Sequence, residues 1–248
     1  MNKKKQTIIG LTAAIVMLAC ACPASGLIPG GDTGSPTPGL PYVPVTEAPP
    51  VDTPQPPANI IFSDDFSSDT GEWETYSSDG EGSAEISNGA YVIRGFVDLW
   101  NWGRTDTEFA DTVAEFDATL VSGPANDNAG LGFYCRLRLR EDTSIDAYML
   151  AISADGYYAI LEFISGSPVA LVEWTYSDAI VQGASTNRIR ATCDGDQLIL
   201  EVNGEEIASA VISAGGAASG YLSLAATSFE SAEPFVEAHF DNFVVSEP

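Results

Sequence analysis

The chain has 248 residues, with 10 Lys+Arg against 35 Asp+Glu, a formal charge of −25 and 45% hydrophobic residues. Such an excess of acid repels phosphate backbones and anionic lipid surfaces, which excludes a nucleic-acid partner, while the hydrophobic content is ordinary for a folded domain. Four cysteines are too few for a disulfide-dense miniprotein.

In chain order, the first element is a charged start, Asn2-Lys3-Lys4-Lys5, followed by an apolar run from Ile8 to Ala19. That run is shorter than the roughly 20 residues of a membrane-spanning helix. The pattern predicts a signal peptide over residues 1–19. Its removal takes away Lys3, Lys4 and Lys5, the only lysines, and leaves seven arginines against 35 acids, a balance of −28.

The end of this segment, Met17-Leu18-Ala19-Cys20, resembles the lipobox of bacterial lipoproteins, where a small residue precedes a cysteine that is diacylated on its sulfur. Met17 departs from the more usual Leu. The resemblance implies lipidation at Cys20, with Cys22 as a second candidate and ordinary cleavage at an Ala-x-Ala site as the alternative. Two acyl chains anchor stably where one is marginal. The expectation is an extracytoplasmic protein at the cell surface, held to a bacterial membrane by its lipid alone.

Residues 20–58 form a linker rich in Pro, Gly and Thr, with nine prolines between Pro36 and Pro57. It lacks the apolar content to fold, and its prolines favour extended polyproline II at about 3.1 Å per residue. Such a spacer holds a domain on the order of 100 Å from a lipid surface.

Residues 59–248 show short β segments separated by turn chemistry. Asn88-Gly89, Asp155-Gly156, Asp194-Gly195 and Asn203-Gly204 each supply the positive φ that a tight hairpin needs. The clearest strands are predicted at 112–121, 129–140, 145–153, 157–165, 168–176, 187–193, 197–202, 206–212, 219–228 and 234–246, with shorter ones before Gly103. Twelve to fourteen antiparallel strands over this length fit an all-β, two-sheet jelly-roll sandwich.

Alternation then orients side chains. In 129–140 it places Ala129, Leu131, Phe133, Cys135, Leu137 and Leu139 on the core face, and Tyr134, Arg136, Arg138 and Arg140 on the other. It turns Ile189, Ala191 and Cys193 inward from the 187–193 strand. Both domain cysteines thus face the core in a compartment that permits disulfides, and a Cys135–Cys193 bond is predicted; two buried free thiols are the alternative.

Six motifs recur in order along this domain: Asp64-Asp65-Phe66, Gly130-Leu131-Gly132-Phe133, Ile152-Ser153-Ala154-Asp155-Gly156-Tyr157-Tyr158, Asn187-Arg188-Ile189-Arg190, Leu200-Glu201-Val202-Asn203-Gly204 and Phe240-Asp241-Asn242-Phe243-Val244-Val245. Together they resemble the concanavalin A-like lectin/glucanase superfamily, in particular laminin-G-like jelly rolls and the 3-keto-disaccharide hydrolase domain. That fold hosts lectins, glycosidases and inert spacers alike, so activity must be argued from residues.

Retaining glucanases of this fold place two carboxylates about 5 Å apart. Glu115-Phe116-Asp117 begins like their Glu-x-Asp-x-x-Glu strand, but the last position is Leu120. Alternation turns Glu115 and Asp117 away from the core, where arginines of a neighbouring strand are expected to pair with them. His239, the one histidine, is expected on the polar face with Glu237 and Asp241. Neither zinc-ligand nor EF-hand spacing is present.

The resemblance also implies a structural Ca²⁺ where first and last strands meet, held by Asp64, Asp65, Asp241 and Asn242. The alternative gives Asp64-Asp65 a turn role. Sugar binding needs aromatic faces and polar groups, and Trp100, Trp102, Arg104, Tyr134 and Arg136 are the candidate carbohydrate-binding residues. Three readings follow: a non-catalytic glycan-binding or adhesion module, a structural or surface-protein-binding sandwich, and a hydrolase of sugar derivatives. Exposed tryptophans favour the first and buried ones the second.

Overall fold

The computed structural model describes residues 59–96, 99–212 and 216–248. The expected signal peptide, the lipidated Cys20 and the linker lie outside the described residues.

Among the described residues there are fifteen strands: β1 Ile60–Asp64, β2 Tyr76–Ser78, β3 Gly82–Ser87, β4 Ala90–Gly95, β5 Asn101–Phe109, β6 Thr112–Ser122, β7 Ala129–Leu139, β8 Ile145–Ser153, β9 Tyr157–Ile164, β10 Ser167–Tyr176, β11 Thr186–Asp194, β12 Gln197–Val202, β13 Glu205–Val211, β14 Gly220–Ser228 and β15 Val236–Ser246. There is no helix among the described residues. A nine-stranded sheet runs β13-β12-β11-β6-β15-β4-β3-β2 with β1 added beside β15, and a six-stranded sheet runs β10-β9-β8-β7-β14-β5. This is the two-sheet antiparallel sandwich that the strand pattern predicts.

The four predicted hairpin tips join β3 to β4, β8 to β9, β11 to β12 and β12 to β13. At the first, Asn88 and Gly89 take φ of +54° and +77°, the conformation whose twist matches that of the flanking strands. A further tip, Ser165-Gly166, has φ of +51° and +76° and carries no Asn or Asp to announce it. The long strand β5 is also absent from the expected set. Its Gly103 lies beneath the Tyr91 ring, whose hydroxyl occupies the place of a Cβ, so the glycine serves close packing and does not end the strand.

The core fills the space between the sheets. Ala114, Phe116, Ala118 and Leu120 of β6 meet Leu131, Phe133 and Cys135 of β7 there, as alternation requires. Cys135 and Cys193 are joined, with Cα atoms 6.7 Å apart. The bond ties the six-stranded sheet to the nine-stranded one.

Alternation fails at one point of β7. The pairing of β7 with β8 slips between Cys135 and Arg138, and Arg136 takes φ of +53°. A bulge of this kind inserts a residue and reverses the faces beyond it. Leu137, expected in the core, therefore joins the outer apolar cluster, and Leu139 is exposed.

Candidate functional site

The outer face of the six-stranded sheet is apolar where a solvated face would be polar. Tyr134, Leu137, Ala147, Met149, Ala151, Leu161 and Phe163 form a second buried cluster there, with Trp100 and Trp102 packed against it. The sequence signal is in β8 and β9, whose runs are apolar at both parities, as strands covered on both faces are. Ala225 of β14, which pairs with Trp102, belongs to the same outer cluster. Trp102 therefore lies on the outer face, and Trp100 shares it by parity.

Over this layer lies a groove of about 630 Å³. Trp100, Trp102, Trp174 and Phe229 line it, and the buried Tyr134 and Phe163 form part of its floor. Trp174 and Trp100 flank the Phe229 ring, with centroids 5.3 Å and 5.8 Å from it, both edge-to-face. Trp174 and Phe229 are each 37% exposed, whereas Trp100 and Trp102 are half-buried. The aromatic edge available to a ligand thus includes Trp174 and Phe229, which the sequence reading did not single out as a pair. They come from β10 and from the loop after β14, and no spacing rule connects them.

Trp100 rests on a glycine shelf. A Cβ at Gly130 would stand 2.6 Å from the indole, and one at Gly132 would stand 3.2 Å from it. Two glycines on one face of β7 let the ring lie against the sheet.

The other predicted sugar ligands are placed differently. Tyr134 is buried in the floor, 5.3 Å from Phe163, and burial pushes its phenol above the ordinary range. Arg104 stacks over the Tyr221 ring at 4.1 Å and lies 3.7 Å from Glu74. Arg136 leaves the groove altogether. The bulge turns it to the end of the sandwich, where it is 2% exposed and donates to the Gly195 carbonyl at 2.9 Å and to Asp111 Oδ1 at 2.7 Å. It is a structural clamp beside the disulfide, not a sugar ligand.

Loop geometry positions Phe229. Its amide donates to the Asn128 carbonyl at 3.0 Å, and Asn126 and Asn128 donate through their side chains to Glu230 Oε1 at 2.7 Å and 2.9 Å. These amide donors, Asn128 first, hold the Glu230 carboxyl below its usual value of 4.5. A group whose folded value is depressed stabilises above its unfolded value, and that stabilisation is lost as pH falls through the folded value. Acidification below the ordinary glutamate range is therefore expected to loosen this loop pair. The hydrogen-exchange protection of the Phe229 amide measures it, and protection unchanged through that range would count against the assignment.

The four expected calcium ligands gather only in part. Asp64 pairs with Phe243 across β1 and β15, so the termini meet as expected. Asp64, Asp65 and Asn242 share a cavity of about 510 Å³, but Arg188 lines it too. Asp64 Oδ1 accepts from the Phe66 amide at 2.7 Å and Asp65 Oδ1 from the Ser67 amide at 3.0 Å. Asn242 Nδ2 donates to Asp117 at 2.8 Å. A guanidinium in place of a cation, and carboxylates engaged in turns, do not fit a calcium cage. Among the described residues, no group of three or more His, Cys, Asp or Glu is placed to hold a metal.

Glu115 and Asp117 lie on the outer face of the nine-stranded sheet. Glu115 is 2.7 Å from Arg190, and Asp117 is 3.3 Å from Arg188. His239 contacts Glu237 Oε1 at 2.9 Å on the same sheet. The segment that resembles a glucanase strand thus stands across the core from the groove.

No protein-family model matches the chain, and no curated protein sequence matches it. Solved structures do. The carbohydrate-binding module CBM66 from Bacillus subtilis is 16% identical, with a TM-score of 0.54 over 71% of this chain and 96% of that one. A Bacillus subtilis protein of unknown function with a galectin-like fold is 12% identical, with a TM-score of 0.58 over 76% and 96%. The catalytic domain of an endo-1,3-β-glucanase (laminarinase) from Thermotoga petrophila is 10% identical, with a TM-score of 0.55 over 77% and 98%. At these identities the likeness concerns the fold and not the chemistry. With its two antiparallel sheets and its paired terminal strands, this chain has the jelly-roll sandwich fold that these structures share.

Proposed function

We propose that this chain is a non-catalytic glycan-binding module displayed at a bacterial cell surface. Cys20 carries the lipid, residues 20–58 form the stalk, and the sandwich presents its six-stranded sheet to the ligand. The observation that carries the reading is the aromatic groove on that sheet, walled by Trp100, Trp102, Trp174 and Phe229. Apolar ring faces bind the C–H faces of pyranoses, and about 630 Å³ is room for a sugar ligand. Jelly rolls of the same fold include a carbohydrate-binding module, which supports the reading without fixing a ligand. Glu115 and Asp117, on the strand that begins like a glucanase's, are paired with arginines of their own sheet across the core from the groove, which weighs against hydrolysis through them.

A glycan array probed with the full chain tests this. Trp174→Ala removes a partly exposed ring from outside the core, and the expected result is about a tenfold loss of affinity with the fold intact. A second reading, a structural or surface-protein-binding sandwich, is favoured by the half-burial of Trp100 and Trp102. Absence of binding to every glycan by the folded chain would establish that reading in place of the first.

A further inference from the structure

Beside the groove, and sharing Trp174 and Phe229 with it, is a smaller cavity of about 230 Å³ lined also by Asn128, Ser153, Asp155 and Tyr157. Five buried side-chain polar atoms lack a hydrogen-bond partner among the described residues, and two of them, Ser153 Oγ and Asp155 Oδ1, belong to this one cavity. Ser153 is only 2% exposed. A buried hydroxyl and a buried carboxylate oxygen without partners are costly and uncommon, and two in one cavity mark a place where a ligand completes the bonding.

The geometry is held before any ligand arrives. The tip carrying both residues is fixed by four backbone bonds: Ala154 N–H to the Ala129 carbonyl, Gly156 N–H to Ser153, Ser177 N–H to Gly156 and Gly183 N–H to Ala154, at 2.8–3.0 Å. Such fixation lowers the ordering cost of binding.

The charge pattern narrows the ligand. None of the seven arginines lines either the groove or this cavity. Six stand within 4 Å of a carboxylate elsewhere, and Arg138 donates to the Ser219 carbonyl. With Asp155 inside and −28 overall once residues 1–19 are gone, a uronate or sulfated sugar is repelled. The volume lies below the about 300–1,000 Å³ of pockets for drug-sized ligands, which suits one ring and not a chain.

We propose that this cavity is the terminal subsite of the groove, and that it selects an uncharged sugar ring whose two adjacent hydroxyl groups bond the Asp155 carboxylate and the Ser153 hydroxyl while Trp174 covers the ring face. The proposal rests on the glycan-binding reading above and names its ligand class.

The test is calorimetric titration of the full chain with three probe sets: neutral cello-, laminari- and manno-oligosaccharides, chitosan oligosaccharides, and oligogalacturonates. Binding is expected with a neutral set only. Ser153→Ala and Asp155→Asn should each weaken it about tenfold. The melting temperature of Ser153→Ala should stay level or rise, because it removes an unpartnered buried hydroxyl, and that of Asp155→Asn, which keeps the shape and loses only the charge, should not fall. A probe lacking one terminal hydroxyl should reproduce the loss in the native chain. If a neutral oligosaccharide binds and Trp174→Ala weakens it while both variants bind as the native chain does, the subsite is overturned and the glycan reading stands. Tighter binding of chitosan oligosaccharides would overturn the neutral ligand in favour of an ammonium group. Binding of oligogalacturonates would overturn the charge argument, and binding of none of the probes would remove both readings.

Discussion

Replacing both Cys135 and Cys193 with alanine is expected to cost about 4 kcal/mol of stability. The bond closes a loop of 58 residues, and restricting the unfolded chain over that length contributes about 4 kcal/mol in the chain-entropy model. Position adds to length: Cys135 lies on β7 and Cys193 on β11, so the bond crosses from one sheet to the other, and both cysteines are fully buried. Arg136 reinforces the same junction by bonding the Gly195 carbonyl just beyond β11 and Asp111 just before β6. Urea denaturation measures the effect as a lower midpoint with a steeper slope, since an uncrosslinked chain exposes more surface on unfolding. An unfolding free energy within about 1 kcal/mol of the native chain's would show that packing between the sheets, not the crosslink, holds them together.

Much of this architecture is legible in the sequence, and the exceptions have physical causes. Period-two patterns and Asn-Gly or Asp-Gly tips act locally, so β8 and β12 have the expected bounds. The disulfide followed from parity on two strands, one of which keeps its register up to Cys135 and bulges immediately after it. The bulge itself depends on a left-handed arginine, a residue type with no preference for that conformation, and no pattern in the sequence marks it. It moved Arg136 from a proposed sugar ligand to a clamp. Trp100 and Trp102 lie on one face of the sheet, but how far Trp100 is covered depends on glycines some thirty residues away on β7. The orphaned Ser153 and Asp155 were visible only as part of a turn, because the absence of a partner is a property of the whole packed structure.

Gly130→Val is expected to abolish most glycan binding while leaving a folded sandwich. At Gly130 a Cβ would stand 2.6 Å from Trp100 Cη2 and 2.9 Å from Phe229 Cζ, so a branched side chain must displace two of the four rings that wall the groove. Neither ring has a core to move into, because Tyr134 and Met149 already fill the layer beneath. Overpacking of this kind costs about 1–3 kcal/mol, which a domain with a separate core between its sheets can absorb. Binding loses more, because both displaced rings are ligand platforms in the glycan reading. At about tenfold for each ring, the affinity should fall on the order of 100-fold. Gly132→Ala is the milder partner: its nearest neighbour is the terminal methyl of Met149, and Trp100 stands 3.2 Å away, so a flexible side chain can yield. Titration of both variants against whichever oligosaccharide binds the native chain, with tryptophan fluorescence to report the displaced indole, separates the cases. Native affinity in a folded Gly130→Val chain would show that Trp100 and Phe229 do not carry the ligand.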